Sequence, residues 1–175
     1  LVDGDGWLII KEVGADSTEE HKFMHGARPD FSQNNKWAAF QIGVSEDKKE
    51  KLEKQKKKVK LKLGLMNLKT TEVDTFKNVQ SYTFSDNGRY LAMKKYKAEE
   101  VKTEGTDLIL RDLRQGTNQL IGNVSEYAFN DSGSKLAVLL DAHEELGNGA
   151  HLYDLTSGKV TVLDNDNTSF KELTW

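Results

Sequence analysis

The residues best suited to proton transfer or metal ligation in this 175-residue chain are its four histidines, His21, His25, His143 and His151. His21 and His25 are four residues apart, a spacing that on a helix would place both imidazoles on one face and could hold a metal ion. The surrounding residues predict a strand and a loop instead, so the spacing loses its geometry, and packing or surface roles are expected for all four. Paired carboxylates occur at Glu19-Glu20, Glu99-Glu100 and Glu144-Glu145. Such a pair could hold a substrate amine, but in a chain with 28 acidic residues solvated loop positions explain them more simply. Asp3-Gly4-Asp5-Gly6 and Asp164-Asn165-Asp166-Asn167 look like pieces of calcium loops, yet neither has the glutamate that closes an EF-hand loop. No Gly-x-Ser-x-Gly elbow and no glycine-rich phosphate loop occurs, and Ser85 and Ser132 lie in turn motifs. Cysteine is absent, which removes disulfides, thiolate nucleophiles and cysteine-ligated zinc together. No catalytic, cofactor-binding or metal-binding residue is therefore assigned, and no cofactor is expected.

Charge narrows the partners. The formal net charge is −3, from 25 basic and 28 acidic residues. Residues 45–60 carry eight lysines against four acids. A polybasic site for nucleic acid or anionic lipid is one reading. The segment has no aromatic ring to stack a base and no arginine to fork a phosphate, so a solvated, partly helical excursion with internal ion pairs is expected. The longest apolar run, Leu136-Ala137-Val138-Leu139-Leu140, is too short to cross a bilayer. Neither nucleic acid nor membrane is an expected partner. The chain begins with Leu1 and stops at Trp175, and is read as an excised piece of something longer, which leaves its compartment open.

The elements that would position any site emerge from self-comparison. Phe31-Ser32-Gln33-Asn34-Asn35-Lys36-Trp37-Ala38-Ala39-Phe40 lines up with Phe84-Ser85-Asp86-Asn87-Gly88-Arg89-Tyr90-Leu91-Ala92-Met93. Phe129-Asn130-Asp131-Ser132-Gly133-Ser134-Lys135-Leu136-Ala137-Val138 is a third copy. Leu173-Thr174-Trp175 reads like the approach to a fourth. Between them runs a second series: residues 8–13, 63–68, 108–113 and 150–155, the later ones followed by Thr70-Thr71, Gln115-Gly116 and Ser157-Gly158. Asp86 can bond to backbone two residues on and Gly88 can take positive φ, which makes a tight reversal. The flanking runs are β-branched, aromatic or aliphatic and only four to six residues long, which suits strands.

Each unit thus offers four short antiparallel strands, with 81–85 turning into 90–94 and 108–113 into 118–121. A four-stranded unit of about 45 residues in tandem marks a β-propeller blade. One such sheet cannot bury both faces alone, so neighbours must stack. A β-sandwich of unrelated hairpins is the alternative, and it does not predict matched positions in four places. The expected fold is all-β, a β-propeller fragment: residues 1–26 as outer strands of a preceding blade, then blades 27–77, 78–122 and 123–164, then 165–175 opening the next. Trp7, Trp37, Tyr90 and Trp175 fall mostly at repeat positions, so packing between blades is expected of them. The long second-to-third connectors, near 43–60, 97–106 and 141–149, should project from one face and meet another domain or partner. An open stack leaves strand edges bare, so self-association or marginal stability is also expected.

The Phe-Ser-x-Asn/Asp block, the Leu-Ala or Ala-Ala strand after it and the Leu-x-Leu-x-Asp-Leu-x-x-Gly run resemble WD40-like, TolB-type propeller repeats. The segment 31–40, the lysine-rich insertion, Lys62-Leu63-Gly64-Leu65-Met66-Asn67-Leu68 and Gly147-Asn148-Gly149-Ala150-His151-Leu152-Tyr153-Asp154 narrow the resemblance. They are similar to the N-terminal propeller of bacterial prolyl oligopeptidase-family (S9) serine peptidases, over essentially the whole chain. The resemblance implies a following α/β-hydrolase domain carrying Ser, Asp and His. The propeller would scaffold that active site and gate the entry of peptides or small esters, and export is common among such bacterial relatives. Some relatives hold a substrate amino terminus with a Tyr-Glu-Glu-like pair. Here Glu144-Glu145 follows His143 and Glu99-Glu100 follows Ala98, so that role is not assigned. A free-standing propeller that binds protein partners is the alternative, and a propeller enzyme or sugar-binding module is weaker for want of any clustered metal or acid-base motif.

Overall fold

A computed structural model describes residues 6–14, 19–98, 103–142 and 147–175. These described residues form thirteen antiparallel strands and one short helix, in two compact units. One unit holds residues up to Phe31 together with Trp37–Asn78; the other holds Ser32–Lys36 and Val79–Trp175.

In the first unit β1 (Trp7–Lys11) and β2 (Glu20–Met24) form a two-stranded sheet. β3 (Gly26–Phe31), β4 (Trp37–Ile42), β5 (Lys62–Asn67) and β6 (Val73–Lys77) form a four-stranded sheet in chain order. Ile10, Ala38, Phe40 and Met66 make its core, with Leu8 and Phe23 packed on it. The rings of Phe23 and Phe40 lie 4.3 Å apart at 39°. The lysine-rich insertion is helical over α1 (Glu46–Lys54), buries nothing, and pairs Lys49 with Glu46 at 3.1 Å and Lys54 with Glu50 at 3.7 Å. Those pairs are the internal compensation expected of a solvated excursion.

The second unit is a seven-stranded sheet, also in chain order: β7 (Val79–Phe84), β8 (Tyr90–Lys95), β9 (Thr106–Asp112), β10 (Thr117–Phe129), β11 (Lys135–Leu140), β12 (Gly149–Asp154) and β13 (Val160–Asn165). Sequence reading separates 118–121 from the strand before Phe129, whereas β10 runs through both. Its first part, Thr117 to Ile121, pairs with β9, and its last part, Glu126 to Phe129, pairs with β11. The register slips between Ile121 and Val124, around Gly122 and Asn123, the latter at φ 57°. Val124 stands opposite both Thr106 of β9 and Leu140 of β11, so the strand passes from one partner to the other without ending. Tyr90, Ala92, Leu108, Leu110, Ile121, Val124, Leu136 and Val138 form one buried cluster drawn from β8 to β11.

The three aligned blocks fold alike. Phe31 stands opposite Ala38, Phe84 opposite Leu91 and Phe129 opposite Leu136, the same hairpin register three times. Tyr90 is buried as expected, but Trp7 and Trp175 are 54% and 58% exposed. Neither tryptophan is buried as Tyr90 is. Trp175 instead donates its indole N–H to the carbonyl of Ala128 at 3.3 Å.

Candidate functional site

The second series of the repeat ends each time in the same cap. Asn67, Asp112 and Asp154 each turn a side-chain Oδ1 onto two amides of the following turn. These are Lys69 and Thr70 at 2.9 and 3.2 Å, Arg114 and Gln115 at 2.9 and 3.0 Å, and Thr156 and Ser157 at 3.0 and 2.8 Å. A short side-chain acceptor two residues before an open amide favours this turn over continued strand. Thr71, Gly116 and Gly158 close it with positive φ, each donating its amide to the carbonyl of the capping residue at 2.8 Å.

Two of these turns, after β9 and after β12, border a cleft of about 310 Å³ in the second unit. Arg89, Tyr90, Asp112 and Gln119 line one side, and Tyr153 and Asp154 the other. Arg89 donates Nε and Nη2 to Asp112 Oδ2 at 3.3 and 2.9 Å, and its guanidinium carbon lies 5.0 Å from the centre of the Tyr90 ring. The Tyr90 hydroxyl donates to the carbonyl of Leu155 at 2.7 Å, which ties the two walls together at the base. Burial works against ionisation of Asp112, but hydrogen bonds from Arg89 and the two turn amides outweigh it and hold the carboxyl below its ordinary value. Asp154 is also held low, first by the Ser157 amide. Burial raises the hydroxyl pKa of Tyr153. The cleft therefore presents one guanidinium already neutralised by Asp112, one further carboxylate, and neutral donors and acceptors.

A second device sits in the hairpin turns. Ser85 Oγ donates to Asn87 Oδ1 at 2.8 Å and accepts the Tyr90 amide at 2.9 Å. Asn87 Nδ2 then reaches the next turn and donates to the Gly133 carbonyl at 2.8 Å, as Asn34 Nδ2 does to Gly88 at 2.9 Å. Gly133 has φ 61°, and a Cβ there would lie 2.8 Å from Asn87 Cγ and 2.9 Å from its amide nitrogen. Glycine is needed at that position both for conformation and for the close approach. Ser132 replaces the asparagine in the third copy and bonds locally to Ser134 and Asn130.

Among the described residues, no histidine or residue of the carboxylate pairs lines the cleft. His21 lies in β2 near Glu19, His25 precedes β3, and His151 lies in β12. His143, Glu99-Glu100, Glu144-Glu145 and Asp3 to Asp5 fall outside the described residues. Glu20 pairs with Lys22 and Lys11, and Asp164 and Asp166 each accept the next residue's amide. Among the described residues no group of three or more His, Asp or Glu side chains could hold a metal ion, and no helix is long and apolar enough to cross a membrane. The sequence reading missed Arg89, Asp112 and Asp154 as wall residues. The signal of the two aspartates was present in the Asp-Leu-x-x-Gly repeat, but it reads there as turn chemistry.

No known protein-family model matches the chain, and no curated protein matches it in sequence. Solved structures do match. The β-propeller domain of the Trilobed protease from Pyrococcus furiosus aligns with TM-score 0.53 and 15% identity, over 81% of this chain and 42% of that one. The tricorn protease aligns with TM-score 0.52 and 17% identity, over 94% of this chain and 15% of that one. A eukaryotic initiation factor aligns with TM-score 0.50 and 10% identity, over 88% of this chain and 39% of that one. The chain spans less than half the length of each. At such identities the likeness is one of fold: this is an all-β chain of open antiparallel sheets with the fold of β-propellers, peptidase propellers among them.

Proposed function

We propose that this chain is a non-catalytic propeller segment of a serine peptidase of the prolyl oligopeptidase type, where it scaffolds an α/β-hydrolase domain and gates access to it. The blade divisions 27–77, 78–122 and 123–164 belong to this reading, with strands before and after them contributing to neighbouring blades. The supporting observation is the fold shared with the propeller of a known protease, together with motifs that resemble those of S9 propellers. The mechanism is steric. Long second-to-third connectors on a rigid scaffold meet the hydrolase and narrow the path of a peptide substrate. The test is to read the full coding frame and assay its product. A Gly-x-Ser-x-Gly region downstream, with prolyl or alanyl reporter hydrolysis by the whole protein and none by residues 1–175, is expected. A frame without a hydrolase, or turnover by residues 1–175 alone, overturns the reading.

The other reading is a free-standing propeller that binds protein partners without any hydrolase; the same frame decides between them. In either case Val160, Val162 and Leu163 on β13 are 45%, 55% and 58% exposed. Residues 1–175 alone are expected to self-associate through such strands, seen as concentration-dependent sedimentation. A single monomer species across concentrations contradicts this.

A further inference from the structure

The cleft beside Arg89 and Tyr153 is bounded by more than side chains. Three consecutive residues of β10, Thr117, Asn118 and Gln119, line it. Thr117 stands opposite Asp112 and Gln119 opposite Leu110, so their side chains share the face of those cleft residues. Asn118 stands opposite Arg111, and its Oδ1 accepts a hydrogen bond from Arg111 Nη1 at 3.2 Å, on the other face. Asn118 therefore reaches the cleft with its backbone. Thr117 to Ile121 pair with β9 alone among the described residues, because β11 takes only the later part of β10. Among the described residues no strand pairs with the second backbone edge of this stretch.

That edge lacks the usual protections. Thr117-Asn118-Gln119-Leu120-Ile121 contains no charge and no proline, and Leu120 is 64% exposed. Bare, uncharged edges invite pairing with another extended chain. The cleft chemistry fits the same occupant. Arg89 is already paired with Asp112, so Asp154 leaves the cleft one net negative charge, which disfavours a ligand carboxylate. A neutral peptide backbone, with donors and acceptors in alternation, is satisfied by the strand edge and by Gln115 and Gln119.

The geometry points to a peptide-binding site here: an extended segment of another protein adds as a strand to the open edge of β10 between Thr117 and Ile121. Its alternate side chains enter the cleft between Tyr153 and Leu110, and those between lie against Leu120. Main-chain bonds supply affinity, and the cleft selects the inserted side chain. This inference stands whether or not a hydrolase domain accompanies the chain.

The test pans a phage-displayed library of random heptapeptides on the whole 175-residue chain and studies the enriched sequence as a free synthetic peptide. Hydrogen exchange should slow at the amides of residues 117–121 when the peptide is bound. Leu120→Lys, at an exposed position that leaves the fold intact, should weaken binding roughly tenfold or more by charging the edge. Tyr153→Ala should weaken it comparably and change the side chain preferred at the inserted position. Failure to enrich any sequence, protection confined to β13 or the β1–β2 sheet, or binding indifferent to both substitutions overturns the proposal.

Discussion

Asp112 and Asp154 occupy the same place in successive repeats and cap the same turn, yet their surroundings differ. Asp112 spends one oxygen on the turn and the other on Arg89, at 2.9 Å, and is 12% exposed. Asp154 makes the same turn bonds, but Ser134 stands where Arg89 stands in the preceding copy. Both pairs of hairpins are also joined by backbone, Leu113 to Arg89 and Leu155 to Ser134, at 2.8 and 2.9 Å. The fold therefore needs the cap and the backbone bond at both places, and the guanidinium at only one. The difference is what gives the cleft its character: one wall carries a closed ion pair, and the other carries a carboxylate held by its own turn.

The largest effect tests what the two turns share. Leu136 is fully buried in the cluster behind both, and Leu136→Ala should lower unfolding free energy by about 2–5 kcal/mol in urea titration. Retention of wild-type stability would mean that the cluster is not a common core. Gly133→Ala combines positive φ with contact against Asn87 and should destabilise by more than about 1 kcal/mol, measured in the same way. Gly116→Ala, where nothing lies within 4 Å of the added Cβ, should cost less. Equal losses would show that the Asn87 contact is not formed. Asp112→Asn keeps the cap, as Asn67 does, but loses the ion pair. A loss of about 1 kcal/mol is expected, the pair being partly screened by exposure of Arg89, and Asp154→Asn should lose less. The reverse order would contradict the comparison above. The smallest effect is in pH. The Asp112 carboxyl titrates below its ordinary value of 3.8 in the folded chain. Its contribution is therefore complete above that value and is lost as pH falls toward the folded value. Acidification below 3.8 should cost the parent chain more stability than the Asp112→Asn chain, and parallel profiles would refute the assignment.

The repeat was legible because its carriers are chemically constrained. A Phe, an Asx or Ser turn and a Gly at fixed offsets announce a hairpin, and Phe31, Phe84 and Phe129 take up one register. The lysine-rich insertion was legible as helical and solvated, since acids three and four residues from lysines pair along a helix. The continuity of β10 was not legible, because Gly122 and Asn123 read as a break although Asn can hold positive φ within a strand path. The cleft was hidden for a different reason. Arg89 and Asp112 are 23 residues apart, and their pairing follows only once β8 and β9 are placed side by side with Tyr90 opposite Asp112. Exposure of Trp7 and Trp175 was missed because repeat position alone does not say whether a neighbour covers a ring.

The central claim is that one small sheet is rebuilt along the chain in a constant register. Cross-strand nuclear Overhauser contacts between backbone protons test it most directly. The account predicts contacts of equal pattern for Phe31 with Ala38, Phe84 with Leu91 and Phe129 with Leu136. Sequential helical contacts through residues 81–93 or 126–140, or three different registers for these pairs, would contradict it.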